Sequence, residues 1–168
     1  MNVKSWAALS LGVWGAALSG CKEDDPIPAI TQASLLAGPA NQSKTWKLTS
    51  GSITFSGQPP GPFALTDCFG DNLYIFYNNA SQDYEGQEGA TKCAVSDPNV
   101  IEKGSWFFSI DGSTLIISAD QGFSGNGLFY YFVGFPVPMK VIELTEEKLK
   151  LEADLDDPDK IVFEFTKQ

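Results

Sequence analysis

From Lys44 onward the chain runs in short stretches that alternate apolar and polar residues with a period of two, separated by Gly, Asn, Asp and Pro. That period puts one face of an extended strand in a core and the other in water. Lys148–Asp154 turns Leu149, Leu151 and Ala153 one way and Lys148, Lys150 and Glu152 the other. Lys160–Thr166 does the same with Ile161, Phe163 and Phe165. Further strands are predicted over Thr45–Phe55, Asn72–Asn78, Gln82–Glu88, Gly104–Ile110, Ser113–Ala119, Leu128–Gly134 and Met139–Leu144. Asn79-Ala80-Ser81 and Asp111-Gly112 are hairpin signals, whereas Pro136 and Pro138 interrupt a ladder because proline lacks an N–H. No stretch carries a long helical period. Eight or nine strands in meander order at short spacing predict an all-β fold, a small antiparallel up-and-down β-barrel of about eight strands. Leu73–Tyr77 and Leu128–Val133 are apolar on both faces, so each needs cover on its outer side.

Ahead of Lys44 the pattern changes. Residues 22–43 read as a tether rich in Pro, Ala, Gly, Ser and Gln. It holds one short helical turn over Thr31–Leu36, stopped by Gly38-Pro39, whose leucines pack on the mouth of the domain. Further upstream, Lys4 precedes the nearly unbroken apolar run Ser5–Leu18, of secretory length and too short to span a bilayer. The seam Leu18-Ser19-Gly20-Cys21 resembles the lipobox of bacterial lipoproteins. That resemblance implies a signal peptide over 1–20, acylation of Cys21, and a lipidated N-terminus and tether over 21–43 before the barrel domain at 44–168. Three acyl chains at about 0.8 kcal/mol per buried methylene make a stable anchor. Lys22-Glu23-Asp24-Asp25 looks like the acidic signal that sends some lipoproteins to the outer face of the outer membrane; a solvated spacer is the plainer reading.

Composition narrows the chemistry. Removing 20 residues from 168 leaves 148, and losing Lys4 takes the net charge from −10 to −11. All eleven basic residues are lysine, with no arginine and no histidine. Such a surface repels nucleic acid. Absent histidine removes Ser-His-Asp and Cys-His catalysis and the common zinc sites. With Cys21 assigned to lipid, Cys68 and Cys93 remain; in an exported chain an even remainder reads as a disulfide, and a free thiol is the alternative. A bridge closing that loop is worth roughly 3.5 kcal/mol by chain entropy.

Candidate sites are few. Asp83 and Glu85 share a strand face near Glu88, at a spacing compatible with the two carboxylates of a glycosidase, although a solvated outer face explains them as well. Asp154, Asp156, Asp157 and Asp159 crowd one turn, which reads as a solvated hairpin turn; an oxygen-rich loop that binds calcium weakly is the alternative, and glycine and acid are missing from the sixth and twelfth EF-hand positions. No catalytic residue and no cofactor is predicted.

A set of short motifs runs in order along the chain: Leu35-Leu36-Ala37-Gly38, Trp46-Lys47-Leu48-Thr49, Asp67-Cys68-Phe69-Gly70-Asp71-Asn72, Tyr74-Ile75-Phe76, Glu88-Gly89-Ala90-Thr91-Lys92-Cys93, Gly104-Ser105-Trp106-Phe107, Leu115-Ile116-Ile117 and Ile142-Glu143-Leu144-Thr145. This order resembles the lipocalin-like domain lipoproteins of Gram-negative bacteria. The resemblance implies a small antiparallel barrel with the two cysteines bridged. The chain departs from classical lipocalins in lacking a Gly-x pair before Trp46 and an arginine to stack on it, and its aromatic insertion at 123–138 is long. The expected role is non-catalytic: a surface lipoprotein of the outer membrane, held by its lipid, that binds a small apolar ligand or an envelope protein. Trp46, Phe76, Trp106, Tyr130 and Phe132 are the expected barrel lining. The alternative is an accessory subunit that pairs the two-sided segment 128–133 with a partner; a carboxylate hydrolase is the least supported. An enclosed apolar cavity would favour ligand binding, and a filled interior the accessory role.

Overall fold

The computed structural model describes residues 27–123, 125, 127–133, 136–155 and 159–168, with the side chains of 131–133 and 137 excepted. Helix α1 spans Pro28–Ala37, followed by strands β1 (Ser43–Thr54) and β2 (Gly61–Pro62) and the single turn α2 (Asp67–Gly70). Strands β3 (Leu73–Tyr77), β4 (Asp83–Gln87), β5 (Val100–Phe108) and β6 (Thr114–Gly122) precede a π-helical turn at Leu128–Val133. Strands β7 (Val137–Leu144), β8 (Lys148–Asp154) and β9 (Lys160–Lys167) complete the chain.

Neighbouring strands pair antiparallel in chain order from β3 to β9, and β1 pairs with both β3 and β9. Eight strands therefore close into a barrel, as the alternation predicts; β2 adds two residues beside the far half of β1. Closure works because β1 is long. Its first residues, Ser43–Lys47, face β3, while Trp46–Thr54 face β9. Bulges at Leu48/Ser50, Gly86/Gln87, Lys103/Ser105 and Val141/Glu143 supply the curvature. Inward residues are apolar, and the outer face carries ion pairs such as Lys103–Glu85 at 3.1 Å and Lys150–Glu164 at 2.6 Å. A lipid-embedded barrel has the reverse pattern, an apolar outer band. No helix among the described residues is long and apolar enough to cross a membrane.

The two ends of the barrel differ. At one, tight connections at 78–82, 109–113 and 145–147 join the strands, and α1 lies across the opening in contact with β1, β3, β5 and β7. Pro28 opens α1 and Gly38, at φ 83°, ends it. The helix is longer than the predicted turn and packs on the barrel, so residues 28–43 belong to the folded body and not to a tether. Its terminal carbonyls, left over by the helix ladder, accept hydrogen bonds from the barrel: Trp46 Nε1–H to Leu36 O at 2.8 Å, Lys44 Nζ to Leu35 O at 2.9 Å and Asn78 Nδ2 to Gly38 O at 2.6 Å.

The opposite end carries the longer connections, namely residues 55–72 with α2, residues 88–99, and the π-helical turn. The Cys68–Cys93 disulfide ties the first two together across 25 positions.

Three expectations are corrected. Over its described part, Leu128–Val133, the predicted strand Leu128–Gly134 is helical, with Leu128 and Phe129 buried. The segment therefore offers no free edge for a partner to extend. Pro138 does not break β7, because it sits next to the strand's first residue, opposite Ile116. Finally, β5 begins at Val100, four residues earlier than predicted.

Candidate functional site

The concave feature that a barrel offers is its interior, and here large buried side chains occupy it among the described residues. Trp46, Tyr74, Phe76, Tyr84, Trp106, Phe129 and Phe163 are all buried within one cluster with Leu36, Leu48, Leu115, Ile117, Leu149 and Leu151. The rings interlock edge to face: Tyr74–Phe165 at 5.5 Å, Tyr84–Phe129 at 5.4 Å, Tyr74–Phe129 at 5.9 Å and Phe76–Trp106 at 6.2 Å. Each such pair adds about 0.5–1.5 kcal/mol beyond the burial of its area.

Within this core lies one fully buried carboxylate. Glu102 stands on β5 opposite Gly86 of β4, where an added Cβ would come within 2.7 Å of Glu102 Cγ. The absence of a side chain at Gly86 makes the room. Tyr84 Oη donates to Glu102 Oε1, and Oε2 accepts the amides of Phe129 at 3.1 Å and Tyr130 at 2.9 Å. The carboxylate thus occupies the N-terminal end of the π-helical turn, where unpaired N–H groups favour an anion. Burial nevertheless outweighs these bonds and raises its pKa above the ordinary 4.5. Burial, then the nearby Glu102 charge, raises both Tyr84 and Tyr74 well above 10.

Asn72 Oδ1 accepts the Gly89 amide at 3.1 Å, and Tyr74 Oη and Asn72 Nδ2 have no hydrogen-bond partner among the described residues. With both oxygens engaged and no exposed surface, Glu102 serves to hold the turn and has no access to a substrate. Its position was open to inference: counting back by twos from inward Trp106 puts Glu102 inside.

The expected lining separates under the structure. Trp46, Phe76 and Trp106 are buried in the barrel, and Trp106 Nε1 also donates to Tyr77 O at 3.2 Å. Tyr130 is corrected: its residue is 36% exposed, because the turn aims Phe129 inward in its place. The side chain of Phe132, together with Cys21, Asp156 and Asp157, lies outside the described residues. Asp154 pairs with Lys160 at 3.4 Å and Asp159 Oδ1 accepts the Ser56 amide at 2.7 Å, so both acids are engaged within the protein. No cluster of three metal-ligating side chains occurs among the described residues. On β4, Asp83 accepts from Asn79 Nδ2 at 2.6 Å and Glu85 from Gln87 Nε2 at 2.6 Å, both on the outer face, while Glu88 is buried.

Outside the barrel, a polar groove of about 500 Å³ runs between Tyr77, Asp83, Lys103 and Asp120. A more apolar one of about 340 Å³ lies between α1 and Phe107 and Phe108. Both open to solvent.

No protein-family profile matches the sequence, and no curated protein matches it. Among solved structures, one described as a surface lipoprotein aligns over 77% of this chain and 63% of its own length, at 12% identity and a TM-score of 0.36. That likeness is too distant to carry an argument, and the lipocalin-like resemblance rests on the sequence motifs alone.

Proposed function

We propose that this chain is a non-catalytic, lipid-anchored envelope protein whose barrel is a rigid body and which acts through its outer surface on a protein partner. The packed interior carries this reading. A barrel that stores a small molecule needs a cavity of a few hundred Å³, and here interlocked rings fill that space. The lipobox-like seam at Cys21 supports the anchor, and the lack of histidine and arginine supports the absence of catalysis. The test has two arms. Metabolic labelling with an alkyne palmitate should mark the wild type and not Cys21→Ala. Native mass spectrometry of the protein extracted from its producing organism should then show the acylated chain with a protein partner and no small molecule. A stoichiometric apolar ligand would overturn the docking reading, and unlabelled wild type would overturn the anchor.

A further inference from the structure

The end of the barrel covered by α1 carries a group of exposed apolar side chains that the fold leaves uncovered. On α1 and just before it, Ile27 is 51% and Ile30 is 59% exposed; on β5 Phe107 is 45% exposed, and in the β5–β6 connection Ile110 is 83% exposed. They belong to one surface. Phe107 and Ile30 line the same groove. The connection holding Ile110 is pressed onto the helix so closely that a Cβ on Gly112 would lie 2.8 Å from Gln32 Cγ and 3.3 Å from the carbonyl carbon of Pro28. Helix α1 contains no charged residue. The nearby Asp111 carboxylate is turned back onto its own loop, accepting from Ser109 Oγ at 2.5 Å and from Ser113 N at 3.1 Å.

We infer that this face rests on the bilayer, with Ile27, Ile30, Phe107 and Ile110 dipping into the boundary between headgroups and acyl chains. The inference builds on the acylation of Cys21. Six residue steps separate Cys21 from Ile27, and at 3.3–3.6 Å each they reach at most about 20 Å. An acylated sulfur therefore keeps this end of the barrel against the lipid, where exposed apolar side chains leave water at little further cost in entropy. The consequence is an orientation: the disulfide-tied end, with the connections 55–72 and 88–99, points away from the membrane and toward any partner.

The test uses the acylated full chain in phosphatidylcholine vesicles with brominated acyl chains, which quench tryptophan by contact. Trp46 and Trp106 are buried and give a common background. Ile110→Trp reports this face, and Val95→Trp, at a position 99% exposed in the disulfide-tied loops, reports the opposite end. The expected result is quenching of the Ile110→Trp signal at least about twofold stronger than that of Val95→Trp, as insertion of 5–10 Å requires. Palmitate-labelled protein with neither site quenched would sink the orientation while leaving the anchor intact. Quenching at Val95→Trp alone would put the other end on the lipid. A blue shift at Ile110→Trp without quenching, together with a doubled native mass, would assign the face to a second copy. Unlabelled protein would end the anchor, and this inference with it.

Discussion

Glu102 is an ionisable group at a place where water cannot reach it, and its behaviour with pH follows from that. A carboxyl whose folded pKa is raised binds its proton more tightly in the native state than in the unfolded one. Its contribution to stability is therefore most favourable below about 4.5 and declines as pH rises through the folded pKa. Glu164 and Asp111 have lowered pKa values, held by Lys150 and Ser109 respectively, and act in the opposite sense, so the whole-protein profile mixes the two. The difference between wild type and Glu102→Gln isolates the buried group. Thermal melts from pH 4 to 8 should show wild type losing ground to the Gln variant as pH increases. A difference independent of pH would show that Glu102 carries no raised pKa. Glu102→Ala strands the Tyr84 hydroxyl and two amides and should cost about 2–4 kcal/mol near pH 4, and less as pH rises. A strand that starts at Gly104 leaves this residue out; the inward periodicity from Trp106 extends two positions further and includes it.

At the scale of elements, the cysteine pairing and the strand meander were legible, the first from the even count of cysteines left once Cys21 is set aside and the second from the period of two. The π-helical turn was not. LFYYFV is apolar on every side, and a short run of that kind fits a covered strand or a buried helical turn equally well by period. What decides between them is remote in sequence: the Glu102 carboxylate, which offers its oxygens to the amides of Phe129 and Tyr130. The turn then drives Phe129 between Tyr74 and Tyr84 as a stopper for the open end. Phe129→Ala should remove that stopper and leave a cavity, costing about 3–5 kcal/mol in urea unfolding, with far-ultraviolet circular dichroism nearly unchanged. A loss below about 1 kcal/mol would place Phe129 outside the core. The α1 helix was legible in kind but not in length. Its leucines signalled packing, while the barrel donors from Lys44, Trp46 and Asn78 that satisfy its last carbonyls lie beyond any local pattern.

Closure is a property of the whole molecule, and the seam between β1 and β9 decides whether the sheet has edges. A meander alone gives neighbours in chain order; what joins the last strand to the first is a β1 of 12 residues, long enough to serve two partners. Gly51 is a point of close approach in that seam. It pairs with Phe163, and an added Cβ would lie 2.9 Å from the carbonyl oxygen of Val162 and 3.1 Å from Phe63 Cβ. In an open sheet, alanine at a strand position is more stable than glycine by roughly 0.5–1 kcal/mol, because glycine loses more freedom on folding. In the closed barrel the added methyl has no space, and overpacking of this kind costs about 1–3 kcal/mol. The sign of the change therefore reports closure. Gly51→Ala should lower the urea midpoint and speed hydrogen exchange at Leu48, Gly51, Ile161 and Phe163, amides that in wild type should exchange only with global unfolding. A Gly51→Ala protein more stable than wild type, with β9 exchanging first as a free edge would, means the barrel is open along this seam. The rings would then no longer be sealed from solvent, and the case for a protein that works only by its surface would lose its main support.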